Sequence, residues 1–131
     1  MRLLDKGDFD GLAALGIDAA GTELLRALAG LEGGAEAIPR ARDILTGMGI
    51  TTSSLDDLEQ MLDALSALAP TPPSLTVDFT VARGLDYYTG MVFEIDVAEL
   101  GGEGQVCGGG SYNLLHLFGL EDLDPCCGFG L

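Results

Sequence analysis

The chain has 131 residues and is 47% hydrophobic, enough for one domain with a packed core and against an intrinsically disordered segment. Twenty-one Asp and Glu face six Lys and Arg, a net charge of −15, so the surface repels phosphate and lacks the basic footprint of a nucleic-acid-binding face. No apolar run approaches the ~18 residues of a membrane span and no signal peptide opens the chain, so a cytoplasmic protein without a membrane partner is expected.

Lys6 is the only lysine. Such acidity suits a solvent of high ionic strength, where screening removes self-repulsion and carboxylates keep the surface hydrated. On that reading the charge describes the solvent rather than a partner.

Residues 1–70 read as helices. Asp8 and Asp18 are candidate N-caps for amphipathic runs over Phe9–Leu15 and Ala19–Ala29, and Gly30 and Gly33-Gly34 end the second. A third helix is expected over about Ala35–Thr46, with Pro39 tolerable only near its first turn. Ser53 or Ser54 then caps the clearest helix, in which Leu55, Leu58, Met61, Leu62, Leu65 and Leu68 follow the helical period. Pro70, Pro72 and Pro73 form a stiff joint. The expected division is a helical module at 1–73 and a sheet module at 74–131.

Leu75–Val81 alternates apolar and polar residues, the period of a half-buried strand. Met91, Phe93, Ile95 and Val97 repeat the alternation. Between them lies Arg83-Gly-Leu-Asp-Tyr-Tyr-Thr-Gly90, where glycines bracket a cation, a carboxylate and two phenols. Arg83 carries a planar fork of donors that fits a carboxylate or phosphate oxygen. Adjacent tyrosines on extended backbone point to opposite faces, so one of Tyr87 and Tyr88 can enter a pocket while the other braces it. The plainer reading is a hairpin with core tyrosines and an Arg83–Asp86 salt bridge.

Gly108-Gly-Gly-Ser-Tyr112 reads as bare backbone opening a short helix, with Ser111 as its candidate cap. Glycine triplets let a ligand lie against main chain. The following residues lack the Lys-Ser/Thr of a phosphate loop, and no strand–helix–strand unit supports a dinucleotide site. Cys107, Cys126, Cys127 and the single His116 do not have zinc-site spacing, so buried thiols and no metal site are expected. His116 falls in a short helix, and Pro125–Leu131 reads as a strand.

The Arg83–Gly90 octet, followed by Val92-Phe93-Glu94, resembles the first histidine-specific motif of histidyl-tRNA synthetases. Gly108–Tyr112, followed by Leu114-Leu115 and Leu117-Phe118-Gly119, is similar to the second. Leu28-Ala-Gly-Leu-Glu-Gly-Gly34 with Ala41-Arg42 resembles the stretch that leads from the family's inserted helical region. Ser111-Tyr112-Asn113, where many members have Arg-Tyr-Asp, is similar to the archaeal-type branch.

This resemblance implies an α+β fold: an N-terminal helical module followed by part of a class II synthetase-type antiparallel sheet. It implies a ligase that joins histidine to ATP, forming histidyl-adenylate, and passes the histidyl group to tRNA(His), with Mg2+ and a homodimer in the complete enzyme. Arg83 would contact the histidine carboxylate and the reacting α-phosphate. Tyr87, Tyr88 and Tyr112, with the Gly108, Gly109 and Gly110 backbone, would line the histidine pocket. No stretch matches the first or the arginine-bearing second class II motif, and the third would begin near Gly128-Phe-Gly-Leu131. The expectation is therefore a fragment holding half an active site, inactive alone, with no cofactor bound and open sheet edges that favour self-association. Two other readings are the synthetase-like regulatory subunit of ATP phosphoribosyltransferase and a free-standing acidic helical module that binds proteins.

Overall fold

Two aspartates start the early helices. Asp8 Oδ1 accepts from the Gly11 N–H at 2.8 Å and Asp18 Oδ1 from the Gly21 N–H at 2.8 Å, each satisfying a backbone donor that a helix start leaves free. The computed structural model describes residues 2–69, 71, 74–81, 87–120 and 125–131. In chain order α1 is Arg2–Asp5, α2 Phe9–Ala14, α3 Ala19–Ala29, α4 Ala37–Gly47 and α5 Ser53–Leu68. β1 (Tyr88–Asp96), β2 (Gln105–Tyr112) and β3 (Cys126–Gly130) follow. None of the described helices is long and apolar enough to cross a membrane.

Helix ends follow local chemistry. After α4, Gly49 turns left-handed (φ 71°), its N–H donates to Thr46 O, and the Ile50 N–H reaches back to Leu45 O, closing the last turn. Pro39 is third in α4, where its missing N–H costs nothing. The N-cap of α5 is Thr52 rather than Ser53 or Ser54, and it makes no side-chain cap bond. Its hydroxyl instead accepts from Arg42 Nη1 at 3.1 Å. The same guanidinium meets Asp56 at 2.7 Å and Glu59 at 2.8 Å, tying α4 to α5. These partners, Asp56 first, raise the Arg42 pKa further above its ordinary value.

The helical core contains Leu31, Ala37, Ile38, Ala41, Leu55, Leu62 and Val77, and Ile38 is the largest fully buried side chain. Val77 corrects the expected boundary. The chain divides into compact units at Met1–Ala82 and Arg83–Leu131, not at 73/74. Leu75–Val81 forms no strand; Val77 is 7% exposed in the helical core, with Leu75 and Phe79 packed beside it. The Val77 N–H donates to Gly33 O at 2.8 Å. At its end Asp78 Oδ1 accepts from both the Thr80 N–H and hydroxyl at 2.7 Å, which turns the chain. The alternation marks a buried face, but the partner is a helical module.

In the second unit the sheet is antiparallel, in the order β1-β2-β3. The glycine triplet lies inside β2, its central strand, so no helix starts at Ser111. A 3₁₀ turn at Leu115–Phe118 follows and leaves His116 exposed. Cys107 is buried, Cys126 half-buried and Cys127 exposed, so the thiols are not uniformly interior. In β1, Phe93 is half-buried and Ile95 is 49% exposed.

Candidate functional site

Register decides which residues share a face of the sheet. Tyr88 pairs with Tyr112, Val92 with Gly110 and Glu94 with Gly108. Across the next ladder Gly110 pairs with Gly128, Gly108 with Gly130 and Tyr112 with Cys126. Paired residues in an antiparallel sheet point the same way, and alternate residues along a strand do too. One face therefore carries Tyr88 and Tyr112 at one end and a floor of bare glycines beside them. Phe93, Phe129 and Cys107 take the other face.

The expected tyrosines do come together. Ring centroids are 4.7 Å apart for Tyr87–Tyr88, 5.4 Å for Tyr87–Tyr112 and 6.4 Å for Tyr88–Tyr112. The last two pairs meet edge to face, an arrangement that the ring quadrupole favours. All three residues are half-buried. The expectation that Tyr87 and Tyr88 point to opposite faces is not met. Tyr87 lies in the turn before β1, not in extended strand, so the alternation rule does not reach it and both rings gather on one side.

Each ring in the strands leans over a glycine of the next strand. A Cβ at Gly110 would lie 2.9 Å from Tyr88 Cδ1 and 2.6 Å from the Met91 carbonyl oxygen. A Cβ at Gly128 would lie 3.1 Å from the Tyr112 hydroxyl oxygen and 3.2 Å from its Cε1. At Gly109 it would overlap the Gly128 carbonyl oxygen and lie 2.8 Å from Phe129 Cα. Gly108, Gly109 and Gly110 are buried, so they serve as a close-packed strand rather than a loop. A β-bulge between Tyr88 and Val92 shifts the register beside the cluster.

Arg83, with Gly84, Leu85 and Asp86, lies outside the described residues. Two residues have roles that sequence reasoning does not reach. Gly128 is hidden because only cross-strand register brings it under Tyr112. Asn113 follows Tyr112, and its Oδ1 is buried with no hydrogen-bond partner among the described residues, an acceptor open to a donor. Among the described residues no three His, Cys, Asp or Glu side chains gather as a metal site. They offer Mg2+ no all-protein cage, and such an ion would depend on phosphate oxygens and water. A separate open hollow of about 420 Å3 in the helical unit is lined by Leu31, Glu32, Val77, Asp78 and their neighbours.

Comparison with known proteins gives one answer. The family model described as histidyl-tRNA synthetase matches residues 1–131. A histidine–tRNA ligase of Methanosarcina acetivorans is 41% identical over 135 residues, covering 100% of this chain and 30% of that protein. One from Archaeoglobus fulgidus is 41% identical over 139 residues, covering 100% of this chain and 31% of its own. Among solved structures, an ATP phosphoribosyltransferase regulatory subunit/histidyl-tRNA synthetase from Bacillus halodurans is 26% identical, with a TM-score of 0.73 over 99% of this chain and 34% of that one. The chain thus spans about 30% of the length of the curated relatives it matches. Its tyrosines and glycine strand belong to an α+β chain of the histidyl-tRNA synthetase family.

Proposed function

We propose that this chain is the histidine-binding part of a histidine–tRNA ligase, a class II enzyme that activates histidine with ATP and passes it to tRNA(His). The observation that carries the reading is the convergence of Tyr87, Tyr88 and Tyr112 beside the Gly108–Gly110 strand, in a chain matched throughout by the family. Phenol hydroxyls can donate to or accept from imidazole nitrogens, and an aromatic cluster desolvates a ring that lies against it. An apolar isostere would forfeit those hydrogen bonds, which is how such a pocket rejects it.

In the reaction a histidine carboxylate oxygen bonds to the α-phosphorus of ATP and pyrophosphate leaves; the tRNA then takes the histidyl group and AMP is released. Arg83 supplies the fixed positive charge. Its guanidinium holds the carboxylate in line and stabilises the charge that grows on the phosphoryl oxygens. Mg2+ accompanies the ATP phosphates. The complete ligase works as a homodimer in the cytoplasm.

The test is histidine-dependent exchange of pyrophosphate into ATP by the full-length protein. Exchange that requires histidine and no other amino acid supports the reading. Its absence rejects the ligase and favours the regulatory function carried in the Bacillus halodurans protein's name. Calorimetric titration of the 131-residue chain alone is expected to show weak or no histidine binding.

A further inference from the structure

Gly128 places no side chain beneath the Tyr112 ring. That ring crosses from β2 onto β3 and rests over Gly128, with the hydroxyl oxygen and Cε1 at 3.1 and 3.2 Å from where a Cβ would stand. Contacts that short are tighter than ordinary packing, so any side chain at residue 128 moves the ring by a few tenths of an ångström or more. The neighbour across the ladder, Gly110, also lacks a Cβ, and Tyr88 already occupies the space above it. The Tyr112 hydroxyl therefore rests close on a backbone surface, nearer than a Cβ at residue 128 would leave it.

We propose that Gly128 is a positioning residue for Tyr112, and that it sets the affinity for histidine without touching it. This rests on the histidine-binding reading above. A phenol that recognises an imidazole nitrogen works within a narrow distance range, because hydrogen bonds weaken steeply with misalignment. Displacement of a binding group by about 1 Å costs on the order of a hundredfold, so a few tenths costs roughly three- to tenfold. The loss falls on histidine and not on ATP.

Gly130 provides the control. It lies on the same strand and face, two residues on, and a Cβ there meets nothing within 4 Å. The experiment measures pyrophosphate exchange by the full-length ligase, with thermal melting as a check on folding. Gly128→Ala should raise the histidine KM about three- to tenfold, with the ATP KM and kcat within about twofold. Gly130→Ala should match wild type. In a Tyr112→Phe background, where the closest contacting atom is gone, Gly128→Ala should raise the histidine KM by a smaller factor. Gly128→Ser, also small, is a second variant if Ala fails to fold.

An unchanged histidine KM in Gly128→Ala overturns the proposal. So does an equal effect of Gly130→Ala, or a full additive effect in the Tyr112→Phe background. Wild-type protein without histidine-dependent exchange sinks the ligase reading itself. Normal wild-type exchange with an unmoved KM in the variant removes only the role of Gly128.

Discussion

Tyr88 stands directly opposite Tyr112 in the sheet, yet their ring centroids are 6.4 Å apart and Tyr87 lies nearer to each. Tyr88 is also held from below, because its ring edge lies over Gly110. Gly110→Ala would press a methyl group against this ring and the Met91 carbonyl, and the backbone atom cannot swing aside. Overpacking of this kind costs about 1–3 kcal/mol. The chain has three tyrosines and no tryptophan, so tyrosine emission follows the sheet unit alone. A denaturant titration read by that emission should shift to lower concentration; an unmoved midpoint would falsify the close contact.

Arg83 is expected to act on the transition state rather than on the fold. Arg83→Ala in the full-length ligase should cut adenylate formation by about two decades or more, with far-ultraviolet circular dichroism unchanged. Near-normal turnover rejects the role.

Salt acts on this chain in two opposite ways. It weakens the Arg42 contacts with Asp56 and Glu59, which are partly exposed, and it relieves the repulsion within a net charge of −15. The screening length falls from about 10 Å at 0.1 M salt to about 3 Å at 1 M, so the longer-range repulsion is removed while contacts under 3 Å persist in part. Relief dominates. The melting temperature should rise between dilute and molar KCl, and Arg42→Ala should lower it at either concentration. A fall with salt contradicts the high-salt reading of the composition.

Glu36 gives a pH dependence of known sign. Its own backbone N–H and that of Gly34 donate to the carboxylate and hold its pKa below the ordinary range, with a smaller contribution from Arg40. A depressed folded-state value means that ionised Glu36 stabilises the helical unit above the ordinary glutamate range. That contribution disappears as the pH falls through the lower, folded-state value. Glu36→Gln should flatten the acid side of a stability-against-pH curve, while identical curves would remove Glu36 from the account.

Much of the helical unit was legible because its signals are local. Asp8 and Asp18 cap as their positions suggest, and Ala19–Ala29 is bounded by an aspartate and a glycine. The N-cap of α5 lies one or two residues before the expected cap, and the Thr52 hydroxyl accepts from Arg42, ten positions earlier, instead of capping the helix. Leu75–Val81 shows a deeper limit. Alternation tells which side is buried, not whether the backbone pairs with another strand or docks on helices through one bond to Gly33.

At the site, residue types pointed to the tyrosines and glycines, but their relations needed register. That Tyr87 and Tyr88 share a side depends on the strand beginning at Tyr88 and not one residue earlier. That Gly108–Gly110 is a central strand depends on β1 and β3 closing on both sides of it. The sequence marks Gly128 only as the start of a further motif; its contact with Tyr112, sixteen positions away, needs the register.

A strand centred on three glycines has a kinetic consequence. Glycine loses more backbone freedom on ordering than any other residue, about 0.5–1 kcal/mol relative to alanine at each position. In β2 that loss must be met before the ladders to β1 and β3 return anything. Helices assemble from neighbours in sequence, whereas this sheet waits for strands separated by intervening turns. The helical unit is thus expected to order first and the tyrosine cluster last, which stopped-flow circular dichroism set against tyrosine emission would check.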